Sequence, residues 1–393
     1  MTRRRARARL TDFVDTYTRD LKAEDLQRLF TRDTREAYRF FARNIDLEAL
    51  GRLPWHRRIV VHFQQFLRAF ALKLSPARRI VFGVSLFLAA VGLFSLMRVA
   101  YTARDLGEVT VVLPGLAVPD GAGALVVAFV LMNLLVLLEV ADRLSLKNDL
   151  EIAREIQQAM LPPGLYSAPG VETIGLSRPA NTVGGDFYDI LPLGDGCLVV
   201  AVGDVAGKGS PAALLMALLL AIMRTLVDER LEPAALMTRL NVQVSRHAPG
   251  SRFITLFYAV FNTNTGELLY VNAGHTPPLL LRSETGGFDR LLEGGVALGM
   301  FDQSTYQVGR TWLQPSDLLA VYSDGITEAE NPKGVPFDEK GLQTVLTANQ
   351  MSSVSAIGAA ITRAVELHTA DTRLADDLTI LLLRRYEPAQ AQV

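Results

Sequence analysis

Five aspartates in this chain of 393 residues stand where a carboxylate could do chemistry. Asp186 lies in VGGDFYD, Asp204 in VGDVAGKG, Asp324 in VYSDGITEAEN, and Asp376 and Asp377 in ADDLT. Each sits in a turn or at the end of an apolar run, beside Gly or another Asp. A single such Asp is most often a turn former, because its side chain hydrogen-bonds the local backbone. Strand ends also present side chains at the rim of a sheet, where carboxylates from distant sequence can converge. Converged carboxylates raise one another's pKa unless a cation lies between them, and a hard divalent ion is the natural partner. Oxygen donors favour Mg²⁺ or Mn²⁺ over Zn²⁺. His275 in NAGHTPP reads as a general acid, a metal ligand or a structural residue of a tight turn. Lys208 and Arg178 read as phosphate contacts or as solvated surface positions. The segment GDVAGKGS fails as a nucleotide-binding phosphate loop, because Gly203 and Gly207 enclose three residues where that motif needs four.

Taken in order, VGGDFYD, GDVAGKG, NAGHTPPLLL, SDGITEAEN and DDLT resemble the motifs of the PPM family of metal-dependent serine/threonine phosphatases. The resemblance is to the bacterial branch of the sporulation stage II and sigma-factor-regulator phosphatases, and it runs from about Ile152 to Arg385. It implies an α+β fold with a central β-sandwich flanked by helices, and two Mn²⁺ or Mg²⁺ ions as cofactors. Carried over by position, Asp204 would bridge the two metals and the backbone carbonyl of Val205 would add a ligand. Asp186 would serve one metal, and Asp324 and Asp376 the other. Asp377 would either bind metal or orient Asp376, a shift of one residue reversing those roles. Gly184 and Gly185 would let backbone approach the metals closely. A bridging water, its pKa lowered from about 15.7 toward about 7, would then supply hydroxide for in-line attack on phosphorus. The implied substrate is phosphoserine or phosphothreonine on a cytoplasmic phosphoprotein, such as an anti-sigma-factor antagonist. The alternative is a non-enzymatic membrane receptor or scaffold with a phosphatase-like binding domain, which would have no physical need to keep every carboxylate.

Strand-like apolar runs must position these groups: CLVVAVGDV, FITLFYAVF, GELLYVNAG, DLLAVYSDG and DDLTILLLRR. Two helix pairs interrupt them, Ala212 to Asp228 with Pro233 to Arg246, and about Glu339 to Asn349 with Val354 to His368. Strands in groups, with helices between the groups, favour α+β layers over a doubly wound sheet. Residues 164–393 are therefore expected to form the catalytic domain. Before it, residues 139–163 read as a linker helix ended by Pro162 and Pro163, with an apolar stripe at Leu146, Leu150, Ala153, Ile156 and Met160. Such a helix can pack on the catalytic domain, or pair with its counterpart in a homodimer and transmit rotation.

Charge divides the chain. Residues 1–79 carry nineteen Lys and Arg against nine Asp and Glu, a net of +10, and the remainder carries 21 against 32, a net of −11. A basic segment meets nucleic acid or an anionic membrane face, and the apolar segments select the membrane. Ile80 to Met97 and Gly121 to Leu138 are uncharged runs of eighteen residues, each long enough to cross a core about 30 Å thick at about 1.5 Å per residue. Residues 80–138 are thus expected to hold two transmembrane helices and a short external loop. Arg and Lys flank the pair more heavily than they occupy the loop between, so both ends are expected in the cytoplasm, with the protein multi-pass in the inner membrane. No nucleic-acid partner is expected. Residues 1–79 read as helical and basic, with no catalytic constellation. Cys197, the one cysteine, lies in an apolar run and reads as a core residue in a reducing compartment.

Overall fold

The computed structural model describes residues 74–102, 121–248, 252–370 and 374–387, with isolated positions before them. The helical reading of residues 1–79 and the external loop fall almost wholly outside the described residues. Contacts divide the chain into two compact units, Met1–Leu144 and Ser145–Val393.

In the first unit, α1 (Pro76–Thr102) lies against the first part of α2 (Gly121–Met160). Arg78 pairs with Asp142 at 2.8 Å, and a Cβ on Gly92 would lie 2.6 Å from Leu125. The partner number falls as the α1 number rises, so the two helices run antiparallel. Small residues permit the approach, since a Cβ on Gly121 would likewise meet Ser95 at 2.6 Å. The outer faces carry Phe87, Phe94, Phe129 and Leu137, all exposed. Both helices are long and apolar enough to cross a membrane. A third helix meets the same criterion, α3 (Ser210–Val227), but it belongs to the second unit and half of its apolar window is buried there. Its hydropathy serves the core.

The second unit is a sandwich of two sheets between two helical layers. One sheet has the order β1 (Leu165–Ala168), β2 (Val171–Arg178), β12 (Leu378–Arg385), β11 (Leu318–Tyr322), β7 (Leu279–Leu281) and β8 (Phe288–Arg290). The other has the order β10 (Gly309–Trp312), β6 (Glu267–Ala273), β5 (Ile254–Asn262), β4 (Cys197–Val205) and β3 (Phe187–Gly194), with β9 (Gly294–Gly295) parallel to β6. Strand period 2 divides the apolar residues. Leu198, Val200 and Val202 of β4 face the other sheet with Phe257, Leu319, Val321, Leu381 and Leu383. Val199, Ala201 and Val205 face α3 and α4 (Pro233–His247), where Met216, Leu220, Met223, Leu236 and Leu240 are buried. Ile380 and Leu382 of β12 likewise face α6 (Asp338–Ala348) and α7 (Val354–Thr369) through Leu342, Leu346, Ile357 and Ile361. The expected α+β sandwich is therefore present, and both helix pairs lie within two residues of their expected bounds.

Phe257 is fully buried between the sheets and stacks on Tyr270, with ring centroids 5.7 Å apart. Phe257→Ala is expected to lower stability by about 3–5 kcal/mol through the cavity it leaves. The denaturant midpoint of the full chain measures this, and a loss under about 1 kcal/mol would show a core able to collapse into the space.

Candidate active site

The strands bring the five aspartates to one end of the sandwich. Asp204 is the penultimate residue of β4, opposite Thr255 of β5, and Asp186 immediately precedes β3. Asp324 opens α5 (Asp324–Thr327), just after β11, and Asp376 and Asp377 precede β12. Adjacent members sense one another: Asp186 with Asp204, Asp204 with Asp324, and Asp324 with Asp376.

Burial first, and then the neighbouring Asp204 charge, raises the Asp186 carboxyl well above its ordinary value, against the hydroxyls of Ser323 and Thr379. Burial and then Asp324 push Asp204 up to about 6, and burial and then Asp376 raise Asp324. Ser323 and Thr379 tie neighbouring strands of one sheet together beside these groups, with Thr379 N–H donating to Ser323 Oγ at 3.0 Å and Thr379 Oγ1 to Ser177 Oγ at 2.9 Å. Neither hydroxyl was anticipated from sequence, although both lie within the SDG and DDLT segments.

Asp377 has a different situation from Asp376. Its Oδ1 accepts the Ala180 N–H at 2.8 Å, and its Oδ2 accepts the N–H groups of Gly185 at 2.7 Å and Asp186 at 3.4 Å. Both oxygens are thus committed to the loop that carries Asp186. That close approach explains the glycines: a Cβ on Gly184 would lie 2.3 Å from Asp377 Oδ2, and one on Gly185 would lie 2.9 Å from the Val205 carbonyl oxygen. From the other side, Gln157 of α2 clamps Gly184. Its amide N–H donates to the Gly184 carbonyl at 2.8 Å, and its Oε1 accepts the Gly184 N–H at 3.1 Å. Gln157 is buried whereas Ile156 and Leu146 are exposed, so the linker helix docks through Gln157 and Met160 and not through the full stripe expected above.

Of the remaining candidates, Lys208 pairs with Asp376, and Arg178 pairs with Glu366. His275 is buried with its Nδ1 3.0 Å from Thr255 Oγ1, and burial holds its imidazole down at about 4. It is therefore neutral at pH 7. Cys197 is half-buried.

The donor set suits a hard divalent ion. It is all oxygen, Asp186 Oδ2 is buried without a hydrogen-bond partner, and the Val205 carbonyl lies beside Gly185 and Asp204. Among the described residues no three acidic, His or Cys side chains are close enough to hold an ion by themselves. Mg²⁺ needs no such cage, since it commonly keeps several waters and takes only one or two carboxylates.

Residues 194–386 match the family described as Stage II sporulation protein E (SpoIIE). Over 241 residues the chain is 30% identical to the phosphoserine phosphatase RsbU of Bacillus subtilis, covering 61% of this chain and 71% of RsbU. The chain belongs to the SpoIIE family of PPM-type serine/threonine protein phosphatases. Another relative, Protein IcfG of Synechocystis sp., is 31% identical over 274 residues, which are 63% of this chain and 43% of that protein. The chain thus spans less than half the length of IcfG. The SiaA-PP2C domain of Pseudomonas aeruginosa has the same fold, with a TM-score of 0.54 at 21% identity, covering 62% of this chain and 98% of that domain.

A carboxyl whose folded-state pKa exceeds its unfolded value of 3.8 stabilises the fold while protonated, and that contribution is lost as pH rises through about 6. In chelator, wild type and Asp204→Asn are therefore expected to melt at similar temperatures near pH 4, with wild type falling behind as pH rises to 7. Parallel melting curves across that range would show that Asp204 carries no electrostatic strain.

Proposed function

We propose that the chain is a membrane-anchored, metal-dependent phosphoserine/phosphothreonine protein phosphatase, with residues 164–393 as a catalytic domain facing the cytoplasm. The observation that carries this reading is the meeting of Asp186, Asp204, Asp324 and Asp376 at one rim of the sandwich in a SpoIIE-family chain. Those four carboxylates and the Val205 carbonyl would hold two Mn²⁺ or Mg²⁺ ions. Such ions supply a nucleophile from water at neutral pH and polarise the phosphoryl oxygens. Asp377 would act on the protein itself, fixing the loop that aims Asp186, because its oxygens are already taken by backbone N–H groups.

The substrate class is a cytoplasmic phosphoprotein of the anti-sigma-factor-antagonist kind, a reading supported by the likeness to a phosphoserine phosphatase. Anchorage rests on α1 and the first part of α2, with the Arg and Lys bias placing both ends in the cytoplasm. The exposed Leu146 and Ile156 of α2 would allow a homodimer through this helix.

The full chain in detergent is expected to hydrolyse a phosphoserine peptide only with Mn²⁺ or Mg²⁺. Asp204→Asn and Asp324→Asn should lose more than the roughly 10–100-fold that removal of an outer-shell partner costs, whereas Asp377→Asn should fall within that range. Full turnover in excess chelator, or in both Asp204→Asn and Asp324→Asn, would remove the metal mechanism.

Regulation through α2 is expected to act on the Asp186 loop, because Gln157 touches that loop directly. Loss of two neutral hydrogen bonds, each worth about 0.5–1.5 kcal/mol, should let Gln157→Ala raise the half-saturating Mn²⁺ concentration in folded protein, with about a hundredfold as the upper bound. Ile156→Ala, at an exposed position, is the control. Equal Mn²⁺ dependence in all three proteins would make the helix a passive tether.

A further inference from the structure

We propose that Lys208 is a built-in counter-cation of the carboxylate cluster, which occupies Asp376 when no divalent ion is bound and must yield when one arrives. The proposal rests on the metal-binding reading above. Lys208 Nζ lies 2.9 Å from Asp376 Oδ2 and donates to the Ala375 carbonyl at 2.7 Å. The second oxygen of Asp376 is also engaged, since Oδ1 accepts the Asp377 N–H at 2.9 Å. An ammonium group and a hard dication require the same carboxylate lone pairs. A metal taking Asp376 must therefore displace Lys208 from Oδ2 or accept a poorer share of the carboxylate.

Lys208 serves more than one partner. Asp376, Asp377 and Asp204 all favour its charged form, and Lys208 in turn favours the carboxylate of Asp324. Among the described residues, no other Lys or Arg forms an ion pair with any of the five aspartates. Its backbone setting is specific as well. Gly207 and Gly209 flank it with φ of +114° and +80°, values that side-chain-bearing residues rarely adopt. The two glycines turn the chain between Asp204 and α3, and Lys208 is the one side chain between them.

The size of the effect is bounded by exposure. The side chains of Lys208 and Asp376 are 56% and 47% exposed, and a pair so solvated changes an equilibrium constant only about two- to fivefold. Loss of the cation should therefore tighten metal binding modestly and also leave the metal-free cluster more strained.

Calorimetric titration of Mn²⁺ into the chelator-stripped full chain in detergent tests this, alongside the thermal midpoint of the same protein without metal. Lys208→Met is expected to bind Mn²⁺ about two- to fivefold more tightly and to melt lower without metal, with Lys208→Arg close to wild type in both measurements. Equal or weaker Mn²⁺ binding by folded Lys208→Met would overturn the proposal, and a raised KM for phosphopeptide in that case would reassign Lys208 to the substrate. If wild type and Lys208→Met both take up no Mn²⁺, the metal-binding reading itself falls, and this proposal with it.

Discussion

Carboxylates crowded at a half-buried rim repel one another, and most of the polar structure at this end of the sandwich is arranged around that repulsion. Desolvation is the larger part of the difficulty for Asp186, Asp204 and Asp324, and the neighbouring charge is the next part. The fold cannot relax it by turning the side chains away. Asp204 is fixed by the β4–β5 ladder opposite Thr255, and Asp186 enters directly into the β3–β4 ladder at Phe187. A protein that keeps such a cluster must supply donors from elsewhere, and here they come from backbone amides, two hydroxyls and one ammonium.

Backbone amides are the most rigid of these donors. Asp377 accepts N–H groups from Ala180, Gly185 and Asp186, so its charge is satisfied by the loop that carries another cluster member. Hydrogen bonds to an ionised acceptor are roughly twice as strong as neutral ones. The arrangement makes a carboxylate that repels Asp186 and Asp204 serve also as a brace for the loop carrying Asp186. It also accounts for side chains being excluded from positions 184 and 185, where a Cβ would collide with Asp377 or crowd the Val205 carbonyl.

Much of this was legible in the sequence because it depends on short-range patterns. The runs around Val199, Phe257 and Leu381 alternate faces along the strand, and α3 and α4 open on prolines at their first turns. The aspartates were legible because each sits where a strand ends. What could not be read depends on tertiary pairing. Asp376 and Asp377 are adjacent and chemically identical, and only the positions of Ala180 and Gly185 separate their roles. Gln157 was passed over because a polar residue beside Ile156 looks like the solvent side of an amphipathic helix, whereas its partner lies 27 residues away in sequence. Ser323 and Thr379 face each other across β11 and β12, a relation that no local spacing encodes.

The end of α2 is held at two points of different kind, and the difference bears on how a signal could reach the site. At Met160 the carbonyl accepts Arg224 Nη2 at 2.7 Å, and the same guanidinium grips Asp189 of β3 with contacts of 2.8 and 3.0 Å. The Arg224–Asp189 pair does not involve α2 and would survive its displacement, so release of Met160 costs one hydrogen bond from a charged donor, about 1.5–3 kcal/mol. One turn earlier Gln157 holds Gly184 by neutral amide hydrogen bonds, each worth about 0.5–1.5 kcal/mol. The two holds are of similar strength, but only the Gln157 contact reaches the loop that carries Asp186. Because Gly184 lies between the Gln157 clamp and the Asp377 brace, loss of that contact acts on the loop carrying Asp186, while the Arg224–Asp189 pair keeps β3 in place.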